Sequence, residues 1–166
     1  MIILVNDANI LIDLLKIDLL ESFFQLQYEF HVTDLVAAEI QEDDITELDH
    51  FIANGSLRKK SFSFEELMQI QLLEVAHKRL SIADCSCLFH ARKIFAKLLT
   101  GDSVLRKTAE QEQILVHGIL WIFDELIKQE VVTREQAHKK LSYLMTKNPR
   151  LPAAECKKRL QKWKQG

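Results

Sequence analysis

Four acidic residues stand where this chain can least easily tolerate an unpaired charge. Asp7 follows the apolar run IILV of residues 2–5, Glu39 lies in LVAAEI, Asp84 in SIADCSC, and Asp102 follows KLLTG. A carboxylate among apolar neighbours is costly to bury unless something cationic meets it. Several converging carboxylates repel, and each raises the pKa of the others. A hard divalent cation such as Mg2+ or Mn2+ removes that repulsion, because it prefers oxygen ligands. Such a cluster suits phosphodiester hydrolysis, in which the metal activates a water and stabilises charge on the leaving oxygen. Taken one at a time, the same acids have plainer readings. Asp7 and Asp102 can cap helices, Glu39 can serve a half-buried salt bridge, and Asp84 can favour a helix dipole from the first turn.

The elements that must position these acids alternate along the chain. IILV is a short, unbroken apolar run, the mark of a strand buried on both faces of a parallel sheet. Ile10, Leu11, Leu14, Leu15 and Ile17 then recur at helical spacing. YEFHVT near 28–33 is a second strand, after which Asp34 is placed to cap a helix carrying Leu35, Val36, Glu39 and Ile40. A helix over 44–53 ends at Asn54-Gly55, and residues 57–62 alternate like an edge strand. Ser63 to Glu66 reads as a capping box opening a helix over 63–80, and 81–95 forms a largely buried helix. KLLTGD at 97–102 repeats the opening pattern of apolar run, turn and Asp, and QILVHG at 113–118 is one more strand. Helices at about 119–129, 134–146 and 153–164 complete the chain. Strands alternating with helices imply a parallel sheet with right-handed crossovers. The expected fold is therefore a three-layer α/β/α sandwich, Rossmann-like, with a helical C-terminal extension. Sites in such sheets form at the carboxyl ends of the strands, where Asp7 and Asp102 fall.

At 166 residues, 48% hydrophobic and 28% charged, the chain suits one domain with a full core and a short appendage. The expected division is 1–130 for the main domain and 131–166 for the helical extension packed on it. A formal net charge of −2 argues against a uniformly basic coat for nucleic acid. From Lys139 onward, however, nine Lys and Arg face only Glu155. Cys85, Cys87 and Cys156 have neither zinc spacing nor the look of a secreted disulfide framework. No apolar run is long enough to span a bilayer. Met1 runs straight into the first strand without a basic leader, so the expected setting is cytoplasmic and reducing.

The order and context of the acids resemble those of the PIN-domain nucleases. The resemblance rests on VNDANILIDL around Asp7, LVAAEI around Glu39, LSIADCSCLFHA around Asp84 and LLTGDSVLRKTAE around Asp102. The stretch from Ile114 through Met145 also looks like a bacterial and archaeal toxin-like branch of that family. The resemblance implies a metal-dependent endoribonuclease that cuts single-stranded RNA, with Asp7, Glu39, Asp84 and Asp102 as catalytic metal ligands. It makes Mg2+ or Mn2+ the cofactor, RNA the substrate, and an antitoxin-like protein or a second copy the partner. Asn9 matches a small polar position that would orient a ligand, although it can equally bond its own backbone. Thr100 and Ser103 flank Asp102 and can support the ligands from outside. Arg106 and Lys107, one turn on, are placed for a phosphate, with a structural ion pair as the plainer role of Arg106.

Two competing readings stand beside this one. An Asp7-based phosphatase would want a second Asp two residues on, where the chain has Asn9. A catalytically weak or inactive RNA- or partner-binding module would be expected to have lost at least one acid. For the basic tail, Cys156, Leu160 and Trp163 recur at helical spacing and need a cover, so a dimer or partner contact is expected rather than RNA contact.

Overall fold

Strand β1 (Ile3–Asn6) is the middle of a five-stranded, all-parallel sheet in the order β3-β2-β1-β4-β5, with Leu4 and Val5 fully buried. The computed structural model describes residues 1–165. The other strands are β2 (Glu29–Thr33), β3 (Leu57–Lys60), β4 (Lys97–Leu99) and β5 (Val116–His117). Helices α1 (Ala8–Lys16) and α2 (Leu20–Phe24) join β1 to β2, and α3 (Asp34–Ala37) and α4 (Glu42–Ala53) lead on to β3. Next, α5 (Phe64–Ala76) and α6 (Ile82–Lys93) precede β4, and α7 (Ser103–Gln111) links β4 to β5. The chain ends with α8 (Ile119–Lys128), α9 (Arg134–Lys147) and α10 (Ala153–Gln165). The helices flank the sheet in the three-layer α/β/α arrangement, with α6 against β1, β2 and β4 and α8 against β5.

The strand order places a topological switch beside β1. The chain runs outward from β1 through β2 to β3, then returns to β1's other side for β4, with Asn6 opposite Leu99. Connections leaving β1 and β4 diverge there, which opens a crevice at the carboxyl ends of those two strands. Asp7 and Asp102 lie on its two sides.

Several boundaries differ from the sequence reading. Thr33, not Asp34, caps α3: its hydroxyl accepts the Val36 N–H at 3.1 Å. The helix lasts one turn, so Glu39 lies beyond it rather than within it. No Gly or Pro in residues 38–41 announces that stop. Helix α5 ends at Ala76 instead of Leu80, because Ser81 starts a fresh capping box with Asp84 and needs extended backbone before it. Helix α2 has no counterpart in the sequence reading. Four helix ends turn through left-handed residues that are not glycine: Asp18, Phe95, Gln113 and Glu130. Each is followed by the long return bond of a Schellman turn, from Leu19, Ala96, Ile114 and Val131 to the helix behind.

The C-terminal helices cover their own apolar positions, which removes the motive for a dimer inferred from their spacing. Cys156 and Trp163 are 0% and 6% exposed, and the Trp163 ring tilts against Phe123 at 5.7 Å. Arg159 clasps Asp124 of α8, its Nη2 and Nε donating at 2.8 and 3.1 Å. Asn148 Nδ2, on the turn between α9 and α10, donates to Asp13 Oδ2 of α1 at 2.9 Å. Burial raises the Asp13 carboxyl, and this bond is the main opposing influence. Asn148→Ala strands Asp13 without its donor, so a loss of about 1–2 kcal/mol and a melting point lower by roughly 2–8 °C are expected. An unchanged thermal melt would show that the turn is held by other contacts. No helix among the described residues is long and apolar enough to cross a membrane.

Candidate active site

Asp7 is both a helix cap and a buried charge. Its Oδ1 accepts the Ala8 N–H at 2.8 Å, capping α1. Its Oδ2 accepts from the Thr100 hydroxyl at 2.7 Å and from Asn9 Nδ2 at 3.1 Å. The residue is only 5% exposed. Burial pushes its pKa up to about 6, helped by the charges of Asp84 and Asp102 and opposed by the Thr100 and Ala8 hydrogen bonds.

A small network ties this carboxylate to the end of β4. The Thr100 hydroxyl also accepts the Asp102 N–H at 3.0 Å, and Asn9 Oδ1 accepts the Gly101 N–H at 3.0 Å. Asp102 in turn caps α7, its Oδ1 accepting the Leu105 N–H at 2.9 Å. Asn9 thus bonds both the Asp7 cap of its own helix and, across the crevice, the Gly101 N–H, a partner no local sequence signal names. The Asp102 side is open to solvent and the Asp7 side closed, so the pair forms the floor and rim of one crevice.

Asp84 is also dual in role. It is the third residue of a capping box: its Oδ2 accepts the Ser81 N–H at 3.0 Å and its own N–H bonds the Ser81 hydroxyl at 3.0 Å. Its charge nevertheless reaches Asp7 and Glu39, raising both. Glu39 is exposed, and partial burial and Asp84 together raise its carboxyl. Beneath them the fully buried Cys87 thiol is held well above its ordinary pKa by burial and then by Asp7, Asp84 and Glu39. The influence of these acids overlaps at one end of the sheet.

No Lys, Arg or His among the described residues forms a salt bridge with any of the four. Their donor atoms are all carboxylate oxygens, and the most buried one, Asp7, is raised first by burial and then by Asp84 and Asp102, which fits a hard divalent cation. Among the described residues, no three His, Cys, Asp or Glu side chains are gathered closely enough to ligate one ion directly.

The flanking residues divide. Ser103 is exposed at the start of α7, and no described hydrogen bond joins its hydroxyl to the acids. Arg106 lines the same groove as Asn9, Thr100 and Asp102, with a Glu110 contact at 3.7 Å. Lys107 lines a separate hollow with Lys78 and Arg79. The sequence reading took Asp34 only as a cap, yet its Oδ1 is buried with no hydrogen-bond partner at the carboxyl end of β2. It also overlooked a polar seam between β2 and α6. There Thr33 Oγ1 lies 2.7 Å from Ser86 Oγ, and His31 Nδ1 lies 2.9 Å from His90 Nε2.

The fold has solved counterparts. VapBC-1 from nontypeable Haemophilus influenzae superposes with a TM-score of 0.51 at 14% identity, over 72% of this chain and 99% of that one. VapBC2 from Rickettsia felis, bound to a DNA fragment from their promoter, gives 0.50 at 15% identity over 70% and 98%. Among curated proteins none matches the chain. The family model described as PIN domain matches residues 3–165, from β1 through the helices after residue 130, and the chain belongs to the PIN-domain family.

Proposed function

We propose that the protein is a divalent-metal-dependent endoribonuclease that hydrolyses single-stranded RNA, with Asp7, Glu39, Asp84 and Asp102 as its catalytic metal-binding carboxylates. Membership of the PIN-domain family supports a nuclease. The observation that carries the finer reading is Asp7: a buried, cation-free carboxylate with a pKa of about 6, beside the switch point of the sheet. Bound Mg2+ or Mn2+ would supply an activated water and neutralise charge on the leaving oxygen. Asp7 and Asp102, after adjacent strands, would hold the ion, and Asp84 and Glu39 would add negative charge to the site. An ion that keeps several waters needs only one or two direct carboxylates, as Mg2+ commonly does. Thr100 and Asn9 fix the Asp7 carboxylate and tie it to the Gly101–Asp102 backbone. Ser103 borders the site, and Arg106 and Lys107 are the nearby phosphate contacts, Arg106 within the groove.

The role proposed for this activity is that of a toxin held by an antitoxin-like protein, as the resemblance of residues 114–145 to the toxin-like branch of the family suggests. The second reading, a catalytically weak RNA- or partner-binding module, draws on the absence of a ready-made three-ligand cluster among the described residues. Incubating purified protein with a labelled single-stranded RNA, in EDTA and then in Mn2+ or Mg2+, separates them. Metal-dependent cleavage is expected; intact RNA under every condition favours the binding module. In the same assay Thr100→Val, which removes the 2.7 Å bond to Asp7, is expected to lower activity or metal affinity by roughly 10- to 100-fold. An unaffected Thr100→Val protein would remove Thr100 from the site.

A further inference from the structure

A groove of about 850 Å³ runs from the candidate acids to the turn between α9 and α10. One end is shared with the site through Asn9, Thr100 and Asp102, and the other is walled by residues 147–152. The extension is thus part of the same depression as the acids, rather than a remote appendage.

Charge in this groove is not balanced along its length. Of its acids away from the site, Asp124 is clasped by Arg159 and Glu155 pairs with Lys158 and Arg159. Asp13 is buried and takes the Asn148 bond. Lys16, Lys147 and Arg150 are exposed on the groove wall, and none has an ion pair among the described residues. The groove also carries Ile12, Trp121 and Leu151, each half-buried, with the His117 ring stacked on Trp121 at 4.2 Å and 7°. Unpaired cations beside apolar and aromatic surface are the pattern that binds a single strand: phosphates meet the cations, and unstacked bases meet the apolar wall. A duplex hides its bases and leaves that wall uncovered.

We propose that the turn between α9 and α10, facing α1 and α7 across this groove, is a binding wall for single-stranded RNA, with Lys16, Lys147 and Arg150 contacting phosphates. The inference rests on the nuclease reading for the direction of the strand, toward Asp102. An acidic segment of a protein partner would use the same cations but has no bases for the aromatic wall.

The test uses the full chain and a fluorescein-labelled single-stranded 12-mer RNA, with anisotropy read in EDTA from 50 to 200 mM salt. The variants are Lys147→Gln with Arg150→Gln, and a control of equal charge change, Lys157→Gln with Lys162→Gln, on the exposed side of α10. The groove pair is expected to weaken binding on the order of tenfold and to flatten the log–log salt slope by about 1.4, two lost contacts at about 0.7 each. The control stays near wild type. Equal losses in both pairs, or none in either, overturn the groove. A silent groove pair in a protein that cleaves RNA with Mn2+ sinks the groove alone. Groove-dependent binding without cleavage in any metal sinks the nuclease reading alone. Groove-dependent binding of fluorescein-labelled polyglutamate by a protein that shows no RNA affinity transfers the groove to a protein partner and overturns the RNA assignment.

Discussion

Asp7→Asn is expected to give a folded protein whose metal-dependent RNA cleavage falls by at least about 10²–10³-fold. The two halves of this result come from different properties of one side chain. As a charge, Asp7 is uncomfortable without metal: burial, Asp84 and Asp102 all raise it, and its pKa reaches about 6. Removing that charge near pH 7.5 relieves up to about 3 kcal/mol, from roughly two pKa units. As a hydrogen-bond acceptor, Asp7 holds Ala8, Thr100 and Asn9. Asn keeps the Ala8 cap through its carbonyl but turns an amide toward the Thr100 hydroxyl and Asn9 Nδ2, at a cost of about 1–3 kcal/mol. The melting point in EDTA is therefore expected to hold or to rise by a few degrees. Circular dichroism melts with single-turnover cleavage in Mn2+ check both halves. A drop of more than about 5 °C without metal would mean that the cap outweighs the buried charge, and full activity would remove Asp7 from the chemistry.

Asp7 and Asp102 were readable as helix caps or as metal ligands, and the structure shows why the sequence could not choose. Both do cap helices, and the same strand-to-helix turn that needs a cap is the carboxyl end of a strand at a switch point. Asp84 repeats this with its capping box. Strand positions were legible because β1 and β4 are short apolar runs ended by polar turns. Helix ends were not, since Asp18, Phe95, Gln113 and Glu130 take the left-handed position where a glycine would have marked the stop. Glu39 was misplaced for a similar reason: nothing local ends α3 after one turn. The groove cations were invisible in another way. Lys16, Lys147 and Arg150 sit on α1, at the end of α9 and on the turn after it, the latter two more than a hundred residues beyond the first, and what distinguishes them is the lack of an ion pair among the described residues. The tail's apolar spacing was read correctly as needing a cover, but Phe123 and the Asp124–Arg159 clasp show that the cover is the chain's own α8 and α9.

The metal-free protein is expected to show a nearly flat stability profile between about pH 4.5 and 6.5, produced by two opposed slopes. Asp7 has a folded pKa of about 6 against an ordinary 3.8. The folded state therefore binds its proton more tightly, and the stability this contributes is full below 3.8 and lost as pH rises through about 6. His90 works in the other direction. It is 3% exposed, and burial first, then the neighbouring His31, Lys60 and Lys93, depress its pKa to about 4, with Glu66 opposing. Here the unfolded state holds the proton more tightly, so stability falls as pH drops from 6.5 through about 4. Each shift spans roughly two units, worth about 3 kcal/mol, and the windows overlap. The raised Asp13 and Glu39 add to the first slope, and the depressed His117 adds to the second, joined below about pH 4.5 by the lowered Glu29 and Glu66. Single substitutions should expose what the wild type hides. In EDTA, Asp7→Asn should lose most of about 3 kcal/mol on acidification from pH 7 to 4.5. His90→Gln, whose amide can still meet His31, should instead gain stability over the same range. Urea denaturation midpoints at half-unit pH steps measure both. Parallel profiles for the two variants would mean that neither group titrates as its surroundings require, and the buried, cation-free Asp7 on which the proposed metal site rests would lose its physical basis.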